Sequence, residues 1–262
     1  MINMNEIVGS HNILFITIDT LRYDVAVYEE ANNNTPNISR LGKWEKRHSP
    51  GSFTYAAHQA FFAGFLPTPV SLGRHERLFS VRFPGSETTG GNTCVFDAPN
   101  IVSGLESRGY HTVCVGGVGF FNKASPLGNV IPSLFNESYW DTGLGVTDRN
   151  STRNQVECCL NALKNIDVSK KVFLFLNVSA LHQPNYFYLE GAKSDSIESH
   201  AAALRYVDCE LKHLFSTFAQ RGRGFGIICS DHGTAYGEDG YYGHRLAHEV
   251  VWTVPYMEFV FV

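Results

Sequence analysis

The run Asn12–Ile18 (NILFITI) limits the architecture more than any other feature of the chain. It is apolar on successive positions and rich in β-branched residues, so it reads as a strand with both faces buried. Residues 171–178 (KVFLFLNV) and 225–229 (FGIIC) read the same way, and 111–115 (HTVCV) reads as a fourth strand. Between these runs the apolar spacing becomes helical. Residues 152–165 form an amphipathic pattern, and 196–221 carry a stripe of Ala201, Leu204, Val207, Leu211, Leu214 and Phe218. The same spacing predicts helices over 38–47 and 54–65, and an alternating strand-like segment over 252–262. Buried strands separated by helices predict a three-layer α/β/α sandwich around a mainly parallel sheet. A length of 262 residues suits one such domain spanning 1–262.

Charge and cysteine usage narrow the function classes. A net charge of −4 supplies no basic stripe, which excludes a nucleic-acid partner on electrostatic grounds. No apolar run approaches the roughly 20 residues of a membrane-spanning helix. The opening MINMNEIVGSHN lacks the basic and apolar regions of a secretory signal. Six cysteines occur without a CxxC spacing, mostly in apolar surroundings such as VCVGG and GIICSD. They read as reduced thiols, with a cytoplasmic location as the expectation.

In a parallel sheet, ligands bind beyond the carboxyl ends of the strands. The first core strand runs into Asp19-Thr20, the third toward His182, and the fourth into Asp231-His232-Gly233. Two aspartates and two histidines thus arrive at one edge, a set that suits Zn²⁺ or Mn²⁺ better than Ca²⁺. Each part has a plainer reading, since an Asp after a strand commonly caps a helix or forms a turn. Thr54 stands where a helix begins, after Pro50-Gly51-Ser52. It is either the helix cap or a nucleophile that uses the same positive helix end. His58, one turn later, is either a helix-face residue or a contact for substrate and leaving group. His244 and His248 are spaced i, i+4 beside Arg245 and are either ligands or surface residues.

The ordered segments resemble the alkaline phosphatase/sulfatase superfamily. TPNISRLGKWEKR (residues 35–47) is similar to the TPN leader of sulfatases, and SPGSFTYAAHQAFFAGFLP (49–67) to their nucleophile signature. LESRGYHT (105–112) and ALRYVDCELKHLF…GFGIICSDHG (203–233) resemble the segments that follow. The resemblance places Thr54 at the nucleophile position and His58 at that of the signature arginine. It implies metal ligands Asp19, Thr54, Asp231 and His232, with His182 and His244 on substrate phosphate or a second metal.

Two departures matter. Threonine cannot yield the formylglycine aldehyde of sulfatases, and Thr20 replaces a second leading aspartate. The site therefore resembles the phosphoethanolamine transferase and lipoteichoic acid synthase branches. The chain also resembles a small bacterial group of stand-alone sulfatase-like proteins. The resemblance implies a metal-dependent hydrolase or transferase of a small-molecule or lipid phosphoester, acting through phospho-Thr54, with His58 or His244 assisting. One divalent metal is expected, with a second on His182, His244 and His248 as the alternative. A sulfatase or phosphonate hydrolase, or a ligand-binding pseudoenzyme, are the competing functions. Residues 67–100 and 120–150 are expected to set specificity.

Overall fold

In the computed structural model, described over residues 2–64, 79–80, 94–95 and 100–261, the buried runs assemble into one seven-stranded sheet. Its strands are β1 (Asn12–Ile18), β2 (Glu45–His48), β3 (His111–Val115), β4 (Glu137–Tyr139), β5 (Val172–Val178), β6 (Gly224–Cys229) and β7 (Thr253–Phe261). The spatial order is β2-β7-β6-β1-β5-β3-β4. The five strands from β6 to β4 are parallel, and β7 and then β2 add to the β6 edge in antiparallel fashion. No helix of the described residues is long and apolar enough to cross a membrane.

Helices cover both faces, and the strand residues divide between them. Leu14, Ile16 and Ile18 join Leu174, Leu176 and Val178 in one core. Over it lie α1 (Tyr23–Ala31), α4 (Ser151–Asn165) and α5 (Ile197–Gln220). Ile13, Phe173, Phe175 and Phe225 belong to the opposite core, beneath α2 (Thr54–Ala63) and α3 (Ile101–Ser107). The expected α/β/α sandwich is the observed architecture. Helix α5 starts at a capping box formed by Ser196 and Ser199. It buries Leu204, Val207, Leu211, Leu214 and Phe218, each large apolar side chain contributing about 1.5–3 kcal/mol.

One element departs from expectation. Residues 38–47 were expected to form a helix, but helix ends at Ser39 and Glu45–His48 form the edge strand β2. Ile38 and Trp44 are buried, so the apolar spacing was real. The chain is extended there because β7 presents unpaired backbone groups, and Glu45, Lys46, Arg47 and His48 take them up opposite Tyr256 to Thr253. Helix α2 stops at Gly64, whose φ of 75° is a left-handed cap.

Candidate metal and nucleophile site

Register brings the site together. Thr17 pairs with Asn177 on β5 and with Cys229 on β6, so the three central strands end level. Asp19, Ser179 and Asp231 therefore leave the sheet side by side. The Asp19 N–H continues the ladder to the Val178 carbonyl at 3.0 Å. Asp19, Asp231 and His232 each offer a ligand atom, all within 4.8 Å of one another, and all three are fully buried. Close packing holds the turn after β6, because a Cβ on Gly233 would lie 1.9 Å from the Val250 carbonyl oxygen. Only glycine fits there.

Thr54 is not the helix cap. Phe53 occupies the cap position and Thr54 is the first helical residue, with no side-chain cap. Its Oγ1 turns into the sheet edge instead, 3.2 Å from Asp19 Oδ2 and 3.3 Å from His232 Nε2. The 10-residue helix α2 points its positive end at this spot. Gly51 lies directly over the first turn, since its Cβ would come within 2.6 Å of the Ala57 nitrogen. The loop before Thr54 is thereby pressed onto the helix start.

Electrostatics mark the cluster as built for a cation. Burial, with Asp231 beside it, pushes the Asp19 carboxyl up to about 7. Burial likewise pushes Asp231 up to about 7. Asp231 Oδ1 accepts from the Thr20 and His232 N–H groups at 3.2 and 3.0 Å. Asp19 Oδ1 and Asp231 Oδ2 are buried with no hydrogen-bond partner among the described residues. Two unpaired buried carboxylate oxygens are costly unless a cation meets them. His232 donates from Nδ1 to the Gly233 carbonyl at 2.8 Å, which leaves Nε2 as a lone pair facing the carboxylates. Burial holds that ring below its ordinary value and so neutral. The residues present fit a divalent metal ion.

The remaining histidines separate into three settings. His182 and His244 face each other across a cleft of about 310 Å³ that Thr54 also lines, their ring centroids 5.6 Å apart. His182 donates from Nδ1 to the Gln183 carbonyl at 2.7 Å. Burial, then His232, holds His244 down to about 3, and its Nδ1 has no partner among the described residues.

His58 does not reach the cleft, contrary to its expected part in substrate contact and proton donation. It is fully buried beside Phe61, Phe62, Phe121 and Phe175. Nδ1 donates to the Thr54 carbonyl at 2.7 Å, and Nε2 accepts from Thr17 Oγ1 at 3.0 Å. With both nitrogens engaged and burial holding it down to about 3, His58 braces Thr54 from below. His248 is engaged elsewhere as well, through Val250 N at 3.2 Å and Asp239 Oδ2 at 3.1 Å. A second metal on His182, His244 and His248 is therefore not assembled. Among the described residues, the ligand group that comes together is Asp19, Asp231 and His232.

Two site residues escaped sequence reasoning. Asn177 donates to Asp19 Oδ2 at 3.4 Å and Thr17 Oγ1 at 3.2 Å, and accepts from Val118 N at 3.1 Å. A lone amide inside the apolar run of β5 was the available signal. Arg245 lines the cleft with His244 and had no signal beyond being a charged neighbour. Residues 67–100, expected to set specificity, lie outside the described residues apart from 79–80, 94–95 and Asn100. The other expected segment, 120–150, supplies Phe120, Ser125, Leu127 and Val146 to the cleft.

Comparison with known proteins agrees with this fold. A family model described as Sulfatase matches residues 11–257. Among solved structures, the chain is similar to the C-terminal periplasmic domain of phosphoethanolamine transferase EptC from Campylobacter jejuni. Identity is 14% and the TM-score 0.65, over 95% of this chain and 79% of that one. It is similar to the soluble domain of lipooligosaccharide phosphoethanolamine transferase A from Neisseria meningitidis at 15% identity and a TM-score of 0.66, over 96% and 77%. It is also similar to the lipoteichoic acid synthase LtaP from Listeria monocytogenes at 14% identity and a TM-score of 0.64, over 96% and 65%. At such identities the likeness is one of fold. A search of curated proteins finds no match.

Proposed function

The chain belongs to the sulfatase family, and from that premise we propose that it is a hydrolase or transferase of phosphate esters, diesters foremost, working through a phospho-Thr54 intermediate. The observation that carries the reading is Thr54 Oγ1, which lies 3.2 Å from Asp19 Oδ2 and 3.3 Å from His232 Nε2. Threonine cannot supply the aldehyde hydrate of a sulfatase, so its own hydroxyl must be the nucleophile. The transferases of similar fold support a small-molecule or lipid phosphoester as substrate.

Asp19, Asp231, His232 and Thr54 Oγ1 would hold one divalent metal. Two carboxylates, an imidazole and a hydroxyl suit zinc or manganese. When bound, the metal supplies positive charge that lowers the hydroxyl pKa of Thr54 and offsets charge on the phosphoryl oxygens. Thr54 gives its proton to Asp19 Oδ2, the nearest acceptor. Oγ1 bonds to phosphorus while the ester oxygen leaves with its electron pair. His182 and His244 hold non-bridging oxygens of the phosphoryl group. Water or an alcohol then attacks phosphorus and releases its proton to solvent, the P–Oγ1 bond breaks, and Oγ1 takes back the proton held on Asp19 Oδ2. The entering group decides between hydrolase and transferase.

Peptide mapping of enzyme quenched in acid during turnover of an aryl phosphodiester tests the scheme. Phosphate is expected on Thr54, and Thr54→Ala is expected to fold but not turn over. Turnover by Thr54→Ala, or a working enzyme with no label on Thr54, refutes it. Faster hydrolysis of aryl sulfates than of aryl phosphodiesters overturns the choice of substrate.

A further inference from the structure

Arg245 has no role in the scheme above, yet its placement is specific. It lines the cleft with Thr54, His182 and His244. Its backbone sits at φ 69°, a left-handed conformation that residues with a Cβ rarely adopt. Two contacts hold it there. Its N–H donates to the Ser52 carbonyl at 2.8 Å, and its guanidinium carbon lies 5.6 Å from the centre of the Phe53 ring. Ser52 and Phe53 immediately precede Thr54, so both anchors tie Arg245 to the segment that presents the nucleophile.

Arg245 is exposed at the rim of the cleft. No ion pair with it forms among the described residues. Val118, Phe120, Leu127 and Val146 line the same cleft. An apolar wall lowers the local dielectric and strengthens the pull of a guanidinium on an anion.

We propose that Arg245 is an anion-binding residue of this site. It takes a non-bridging oxygen of a phosphate diester whose organic group lies against Val118, Phe120, Leu127 and Val146. This rests on the phosphoester reading above.

Calorimetry of orthophosphate binding to the zinc-loaded protein tests it without turnover, alongside kcat and KM for bis(4-nitrophenyl) phosphate. Arg245→Gln is expected to weaken phosphate binding about 10- to 100-fold, the loss of one charge-assisted contact. KM should rise more than kcat falls. Arg245→Lys should recover part of the loss, since it keeps the charge without the fork. Melting temperature and zinc content should stay at wild-type values. Arg149→Gln controls for net charge, because Arg149 also stacks on an aromatic ring, that of Phe187 at 5.8 Å, but is not among the residues lining the cleft. Equal phosphate affinity for Arg245→Gln and wild type overturns the proposal. So does a wild type that binds no phosphate, or an equal loss in Arg149→Gln. A wild type that binds phosphate through Arg245 yet turns over no phosphoester upholds this inference and refutes the phospho-threonine reading instead.

Discussion

Asp231→Asn separates a metal ligand from a structural carboxylate. The amide oxygen can keep the bonds that Oδ1 accepts from Thr20 and His232. The amide nitrogen would replace Oδ2, which has no partner among the described residues and lies 3.5 Å from the His232 Nε2 lone pair. The substitution therefore preserves shape and removes one buried charge. Burial raises the Asp231 carboxyl from 3.8 to about 7. That gap corresponds to roughly 4 kcal/mol at about 1.4 kcal/mol per pH unit.

Asp19 repels the same charge, so the share owed to Asp231 alone is about 2–4 kcal/mol. A raised folded-state pKa gives stability that is complete below about pH 4 and lost as pH rises toward 7. With chelator at pH 8, Asp231→Asn should thus melt higher than wild type, by roughly 4–16 °C for a chain of this size. At pH 5 most of that gain should vanish. With zinc at about 100 times its Kd, wild type should gain about 2.7 kcal/mol while the variant gains little, and the order should reverse. Differential scanning calorimetry at both pH values, with chelator and with zinc, measures all of this. A variant less stable than wild type in chelator at pH 8 would refute the reasoning, because Asp231 would then be stabilising without a cation.

Zinc affinity of the wild type should rise with pH up to about 7 and level off above it, as protons stop competing for Asp19 and Asp231; metal titration across pH shows it. Asn177→Leu keeps the branched outline but removes the amide bond to Asp19 and leaves Val118 N unpaired. It should weaken zinc binding about 10- to 100-fold, read by competition with a chelating dye. Gly233→Ala must displace either the Val250 carbonyl or His232. It should lower Tm and zinc content together, and a normal zinc content would refute the packing argument. His58→Leu breaks the bonds to Thr54 O and Thr17. It should cost about 1–3 kcal/mol in urea unfolding while leaving the pH dependence of kcat unchanged, since His58 moves no proton.

Much of this molecule could be read from residue order. The apolar runs around Leu14, Leu174 and Ile228 are determined by burial on both faces, a local property of composition. The parallel sheet and its covering helices followed from them. Asp19, Asp231 and His232 were legible because strand ends mark a sheet edge, whichever strands turn out to be neighbours. Side-chain direction was not legible. Thr54 could cap its own helix or turn toward Asp19, and only the position of β1 beneath α2 decided for Asp19. His58 followed the helical spacing that placed it near Thr54. That spacing could not show that Phe62, Phe121 and Phe175 close around the ring. Glu45–His48 became a strand because β7, about 200 residues later, offered its open edge. Burial pattern is written residue by residue along the chain. Which polar atom meets which depends on distances between segments, and those exist only once the sheet has formed.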